Sequence, residues 1–142
     1  MSTSDGKLHA LYKRFDHAFP ESESYERALV QIFEVIAQDL SQIRGSYMTK
    51  PFALHALCCA IYHNQVGLPG FAQLTGINPI GNALGCASDR ATANLLELAA
   101  AHESKDSSRF PEYVDAMSAG SNREKQRRER IAILCRALRD QF

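Results

Sequence analysis

The sequence predicts an all-α fold, a single helical bundle of about six helices over residues 1–142. Apolar residues recur every three or four positions in successive segments, which is the period of a helix with one buried face. No segment alternates apolar and polar residues with period two, and β-branched residues are sparse, so strands are not expected. With 45% hydrophobic and 23% charged residues, the composition is that of an ordinary globular chain long enough to bury one core.

Two helices are predicted in the first third of the chain. The first ends at Pro20, because proline disfavours helical backbone in the residue before it. Its apolar stripe comprises Leu8, Leu11, Tyr12, Phe15 and Phe19. The second opens at Ser22 or Ser24, which are good N-caps, and Gly45 is expected at its C-terminal cap. Its stripe comprises Tyr25, Leu29, Ile32, Phe33, Ile36, Ala37, Leu40 and Ile43.

The third helix is predicted to lie at the centre of the bundle, because residues 52–66 are apolar almost all round. Thr49 is its expected cap, and Pro51 lies in its first turn, where the missing N–H is tolerated. Glycines and prolines then predict an irregular loop near 67–86, interrupted by one short turn of helix around residues 71–74.

Three further segments have helical patterns. A helix capped by Ser88 or Asp89 is expected over residues 90–103. A short helix opens at Phe110–Pro111, and the last helix begins near residue 122. The side chains expected to be buried together in the core are Leu57, Ile61, Ile32, Phe33, Ile36, Leu95, Leu98 and Leu134.

Charge is divided unevenly along the chain. Residues 121–142 hold seven Lys and Arg against three acids, a net charge of +4, whereas residues 1–120 have a net charge of −4. The formal charge of zero therefore combines two opposed regions. Such a division favours either docking of the basic segment on its own acidic body or binding of a polyanion or an acidic partner.

The basic segment is predicted to form an amphipathic helix with an apolar stripe. Its candidate contacts for nucleic acid or a protein partner are Arg123, Lys125, Arg127, Arg128 and Arg130. Arg127 precedes Ile131 by four residues and is expected to continue the buried seam. The cations expected on the solvated face are Lys125, Arg128, Arg136 and Arg139. Any nucleic-acid contact is expected to be with phosphates rather than bases.

The same helix also fits a purely structural interpretation. Opposite charges at i, i+4 spacing stabilise a helix without any partner. Three such pairs are present: Glu124–Arg128, Lys125–Glu129 and Arg136–Asp140. On this alternative the exposed charges only keep the protein in solution.

His55, Cys59 and His63 are the most suggestive group for chemistry, because they are spaced i, i+4, i+8 on the third helix and are zinc-ligand types. However, the outer two lie about 12 Å apart along the axis, too far for one ion. We therefore expect no metal site, with His55 hydrogen-bonded and His63 near the surface. A small helical enzyme with its site near His55, His63 and the 76–85 loop is the alternative. No nucleophile elbow, phosphate loop or dinucleotide fingerprint occurs, so no catalytic residue and no cofactor are predicted.

The remaining features concern location. No apolar run approaches the length of a membrane span, and the N-terminus has no apolar signal core, so no membrane contact and no secretion are expected. The four cysteines lack CxxC spacing and are expected to be reduced, which suits a cytoplasmic protein.

Several segments, taken in order, resemble a known family. A helix YERALVQIFEVIAQDL is followed by KPFALHALCCAIYHNQVGLP, a polar loop, the short FPEYVDAMSAGS segment and the closing NREKQRRERIAILCRALRDQF. This order resembles the helical C-terminal region of GmrSD-type restriction proteins, whose N-terminal part is a ParB-like, sulfiredoxin-like nuclease domain. The Arg130–Ile131 pair, followed by the rest of IAILCRAL, is the best-matching piece, and the resemblance covers most of residues 25–142.

One departure from the family pattern matters for function. The family's chemistry depends on an Asp-Gly-Gln-Gln-Arg motif in the N-terminal domain, and Asp5–Gly6–Lys7 does not replace it. The resemblance therefore implies a fragment or stand-alone copy of the non-catalytic half, which binds DNA or regulates a nuclease partner in defence against phage. A protein-interaction or immunity-type module is a further alternative.

Overall fold

The computed structural model describes residues 22–106, 108–118 and 124–141, with side chains from Glu26 onward. All regular structure in these ranges is helical, without a strand, which confirms the all-α prediction. The six α-helices are α1 (Ser22–Gln38), α2 (Pro51–Gln65), α3 (Phe71–Thr75), α4 (Ser88–Ser104), α5 (Pro111–Met117) and α6 (Glu124–Leu138). The helix predicted over Leu8–Phe19 lies outside the described residues. None of the helices in the described ranges is long and apolar enough to cross a membrane.

Helix α1 ends earlier than its apolar stripe predicts. The amide of Leu40 bonds to the carbonyl of Val35, which closes the helix after Gln38. Leu40 and Ile43 are nevertheless fully buried, because a 3₁₀ turn over Ser41–Ile43 folds them back onto the core. The apolar pattern therefore predicted correctly that Leu40 and Ile43 are buried. It did not predict that they lie in a 3₁₀ turn after the α-helix has ended.

Helix α2 occupies the centre of the bundle, as predicted, and packs against α1 on one side and α6 on another. Pro51 is in its first turn, but the N-cap is Lys50 rather than Thr49. Thr49 instead ends a second 3₁₀ turn, where its hydroxyl donates to the carbonyl of Ser46 at 2.8 Å. Because Thr49 belongs to this turn, the next residue, Lys50, takes the N-cap position, and no side chain caps α2.

The predicted core is present. Six of the eight expected side chains are fully buried in one cluster, namely Leu57, Ile61, Ile32, Leu95, Leu98 and Leu134. Phe33 and Ile36 are partly buried and pack against that cluster from α1. Helices α4, α5 and α6 all contact one another, and α4 also covers the second 3₁₀ turn.

Residues 76–87 contain no regular structure, as the glycines and prolines of this segment predicted. The segment crosses the C-terminal ends of α2 and α6. Its backbone bonds to both: Ile80 and Gly81 donate to the carbonyl of Asn64, and Gly85 donates to that of Leu138. The loop is thus held in place by the ends of the two central helices.

Gly67 should tolerate alanine poorly. Its φ is +106°, and a Cβ there would lie 2.9 Å from Cγ of Pro79. We expect Gly67→Ala to lower the free energy of unfolding by about 1–3 kcal/mol, measured by urea unfolding. Gly45→Ala is the matched control, because Gly45 also has a positive φ but open space around it. Equal losses in the two variants would show that the contact with Pro79 contributes nothing.

Candidate interaction surface of the last helix

Helix α6 is amphipathic, as the sequence predicted, and its apolar face is packed against α2, α4 and α5. The buried residues of this face are Ile131, Ala132, Leu134, Cys135, Ala137 and Leu138. The arginine that continues the buried face is Arg130, which is only 1% exposed. Its guanidinium lies 5.3 Å from the ring centroid of Phe52, a cation–π contact. Arg130 therefore belongs to the framework and not to the accessible surface.

Tyr113 of α5 also interacts electrostatically with this buried arginine. Burial raises the pKa of Tyr113, and the Arg130 cation acts in the opposite direction. The Tyr113 hydroxyl also points at Sδ of Met48, at 3.9 Å. The guanidinium thus connects α6 to α2 through Phe52 and to α5 through Tyr113.

The assignment of Arg127 to the packed seam is wrong, because Arg127 is exposed. Its angular position on α6 is close to that of Ile131, as the spacing implied. However, Arg127 lies in the first turn of α6, where a groove rather than a packed helix faces it. The helical spacing predicted the direction in which the Arg127 side chain points. It did not predict whether a packed helix or a groove lies on that side of α6.

This groove has a volume of about 510 Å³ and separates α3 from the first turns of α6. We call it the α3–α6 groove. The side chains that line it are His55, Leu68, Pro69, Phe71, Leu74, Glu124, Arg127, Arg128 and Ile131. Most of its surface is apolar, and Leu74 is 65% exposed. Sequence analysis missed Leu74, since its i, i+3 spacing from the buried Phe71 predicts burial for both.

A second, smaller depression of about 390 Å³ continues along α6. It is lined by Leu74, Thr75, Glu112, Lys125, Arg128, Glu129, Ala132, Ile133 and Arg136. Leu74 and Arg128 line both features, so the α3–α6 groove and this depression form one strip along the outer side of α6.

The cations of this strip form no ion pair with a carboxylate of the described residues. Ion pairs in the described ranges are Arg90–Asp140, at 3.1 Å, and Arg109–Glu97.

The predicted pairs of α6 are therefore wrong. The pairs Glu124–Arg128 and Lys125–Glu129 do not form, and Asp140 pairs with Arg90 of α4 because α6 ends at Leu138. Lys125 and Arg127 are exposed and Arg128 is half-buried, while Arg123 lies outside the described residues.

Arg139 is not on a solvated face either. Its Nε donates to Oδ1 of Asn64 at 2.9 Å, and its Nη2 donates to the carbonyl of Asn78. The amide nitrogen of Asn64 in turn donates to the carbonyl of Ala83 at 3.0 Å. Arg139 and the fully buried Asn64 therefore fix the irregular loop on the ends of α6 and α2.

His63 is fully buried, so its predicted position near the surface is wrong. The segment after α2 folds back over it, and both ring nitrogens have backbone partners. Nε2 lies 2.7 Å from the carbonyl of Ile77, and Nδ1 accepts from the amide of Leu68 at 2.9 Å. This pattern requires the neutral ring with its proton on Nε2. His63 also packs edge-on against Phe71, with ring centroids 4.5 Å apart, and so supports one of the side chains that line the groove.

Of the residues considered for catalysis, His55 has the environment that most resembles an active site. Its Nε2 lies 3.8 Å from Sγ of Cys59, and its ring lines the α3–α6 groove. Cys58, Cys59, Cys86 and Cys135 are free thiols, and burial raises the pKa of Cys135 to about 12. Within the described ranges, no three His, Cys, Asp or Glu side chains are grouped so as to hold a metal ion.

The buried His63 predicts an acid-sensitive fold. Burial, together with the nearby Arg139 cation, lowers the pKa of His63 below its ordinary value of 6.5. The unfolded chain then binds the proton more readily, so stability present above the ordinary pKa should be lost as the pH falls below it. Urea unfolding at several pH values between 7.5 and 5 should show this decline, and His63→Gln should reduce it.

A second histidine provides the control for that measurement. Burial and the Lys50 cation also lower the pKa of His102, so His102→Gln should remove a separate part of the acid sensitivity. The contribution of His63 should persist in this variant. An unchanged pH dependence in His63→Gln would show that the buried ring does not control acid stability.

In comparisons with family models, with curated proteins and with solved structures, nothing matches the chain.

Proposed function

We propose that this protein is a non-enzymatic helical binding domain that uses the outer side of α6 as its contact surface. Its biological setting in this proposal is a prokaryotic restriction system, in which it forms the DNA-binding or partner-binding half. The nuclease chemistry would then be supplied by a separate domain or protein, and the cytoplasm is where phage DNA is met.

One observation carries the proposal. Lys125, Arg127 and Arg128 present positive charge beside an apolar groove, and no described carboxylate lies within ion-pair distance of them. Leu74 of α3 lines the same groove and is 65% exposed, so a partner that covered it would remove apolar surface from water. Cations next to exposed apolar surface are typical of contact surfaces, in which the apolar part supplies affinity and the charges supply orientation.

The resemblance to GmrSD-type restriction proteins supports a restriction system as the biological setting. It does not support a catalytic activity of this chain. Its best-matching piece centres on Arg130 and Ile131, which are both buried. In this chain those residues hold α6 onto α2 and α5, so the matching piece would preserve the platform on which the exposed cations are displayed.

The enzyme alternative is less well supported. It needs His55 and His63 as acid–base groups, but the ring nitrogens of His63 are both engaged by backbone groups. His55 remains with Cys59 as its neighbour, on the wall of the same groove. These residues therefore support a role in shaping the groove.

Binding to polyanions tests the proposal. Fluorescence anisotropy with a 20-base-pair duplex and with a Glu- and Leu-rich peptide, each at about 50 and 200 mM salt, should detect binding of at least one probe that weakens with salt. Replacing Lys125, Arg127 and Arg128 together with Gln should weaken it strongly. If the probe is the duplex, the remaining binding should have a salt slope lower by about three.

The matched control replaces three exposed cations that do not line the strip, Arg27, Arg44 and Lys50, with Gln. This variant loses the same charge and should bind like the wild type. The proposal fails if neither probe binds at low salt, or if both triple variants bind equally well.

A further inference from the structure

We infer that the partner of the α3–α6 groove is an amphipathic protein segment that carries acidic residues beside its apolar ones. In this complex the apolar side chains fill the groove and the carboxylates pair with Arg127 and Arg128. The inference rests on the proposed function and names the chemistry of the partner.

The apolar side chains that line the groove select for apolar groups of a partner. Five of the groove's lining residues are apolar: Leu68, Pro69, Phe71, Leu74 and Ile131. Its volume of about 510 Å³ is sufficient for more than one side chain. Since apolar area removed from water contributes roughly 25 cal/mol per Å², covering Leu74 and its neighbours supplies a driving force that phosphates could not use.

The arginines that line the groove select for carboxylates. Arg127 and Arg128 are successive residues of α6, and Glu124 is the one acidic residue among the lining side chains. A guanidinium matches a carboxylate with two parallel hydrogen bonds, and both arginines lack a partner among the described carboxylates. A partner segment with an acidic residue next to an apolar one would pair with the arginines and cover the apolar lining of the groove at the same time.

Nucleic acid fits the same strip less well. Duplex DNA presents a negative charge about every 1.7 Å along its axis, so it favours an uninterrupted row of cations. Here the cations Lys125, Arg127, Arg128 and Arg136 alternate with Glu112, Glu124 and Glu129. A phosphate backbone along α6 would meet those carboxylates, whereas a protein segment can place its own charges to match.

The shape of the strip favours a segment over a compact ligand. The groove and the second depression share Leu74 and Arg128, so the strip extends along the outer side of α6 beyond the groove itself. An extended or helical segment could place successive apolar side chains against both, which is the usual mode of helix-in-groove recognition.

Selection from a displayed library of random 16-residue peptides tests this inference. The folded wild-type protein should enrich peptides with at least two apolar and at least two acidic residues. In anisotropy titrations of the best peptide, Leu74→Ala should weaken binding about tenfold or more. Replacing Arg127 and Arg128 with Gln should weaken it about tenfold. Because all three side chains are at least partly exposed, these variants should remain folded, as checked by circular dichroism.

Two controls sharpen the result. Val30→Ala removes an exposed apolar side chain from α1, away from the groove, and should leave the dissociation constant unchanged. The double substitution Arg127→Glu and Arg128→Glu reverses the charge beside the groove. To this variant, a peptide with Lys in place of its acidic residues should bind more tightly than the selected acidic peptide.

The possible results distinguish a failure of the inference about the partner from a failure of the proposed binding function. Enriched peptides without acidic residues, or binding indifferent to Leu74→Ala, would overturn the inference. So would a duplex that binds more tightly than every peptide through the same arginines, although the proposed function would then stand. If neither peptide nor duplex binds, both the inference and the proposed function fail.

Discussion

Leu57→Ala should lower the free energy of unfolding by about 2–5 kcal/mol. Leu57 is fully buried near the middle of α2, which packs against α1 and α6. Truncation removes buried methyl groups and leaves a cavity that close-packed neighbours cannot fill without moving. Equilibrium unfolding in urea measures the loss, with an unchanged m-value showing that the effect is on stability.

Leu74→Ala is the matched control for that variant, because it makes the same chemical change at a position that is 65% exposed. We expect it to change the free energy of unfolding by less than about 0.5 kcal/mol. A similarly small loss for Leu57→Ala would show that α2 is not the centre of the core.

Arg130→Ala should also be strongly destabilising, with a loss of about 2–4 kcal/mol. The side chain is 1% exposed and interacts with Phe52 and Tyr113, so its removal leaves a large cavity and ends the cation–π contact. Lysine should rescue only in part, because an ammonium lacks the planar face and the forked donors of guanidinium.

Arg127→Ala is the comparison that separates two arginines only three residues apart. Arg127 is exposed and has no described ion-pair partner, so its loss should change stability by less than about 0.5 kcal/mol. The opposite ranking, with Arg127→Ala more destabilising than Arg130→Ala, would contradict the observed packing of α6. Thermal and urea unfolding of both variants decide between these results.

These two arginines show where the sequence stops being informative. Spacing from Ile131 favours Arg127 for the seam, but spacing from Leu134 favours Arg130 equally well, since both intervals are four residues. The choice depends on what faces each turn of α6. Phe52 and Tyr113 face Arg130, whereas a groove faces Arg127. Such contacts between distant segments are not encoded in local periodicity.

The same reason explains why the central helix was predictable and His63 was not. An apolar pattern all round residues 52–66 is sufficient to place α2 inside, because no orientation would leave a polar face outward. His63 is buried by Ile77 and Leu68, which reach it only because the loop folds back. The glycines and prolines predicted a loop there, and its path depends on Asn64 and Arg139, which are far apart in sequence.

The outer side of α6 was predictable in charge but not in shape. The seven cations and three acids of residues 121–142 identified the segment as a candidate for contacts. The apolar groove beside it could not be derived, because it is made by residues of α3 and the preceding turn that approach α6 only in the folded chain. Its exposed Leu74 carries no distinguishing sequence signal.

We propose that the outer side of α6, with the α3–α6 groove, is the surface that this domain uses for binding. Amide chemical shifts of the ¹⁵N-labelled protein test it most directly, in a titration with whichever of the duplex and the selected peptide binds more tightly. The largest shifts should fall in α3 and in the first two turns of α6, including Leu74, Arg127 and Arg128. Shifts concentrated in α1 or α4, with α3 and α6 unaffected, would contradict the account.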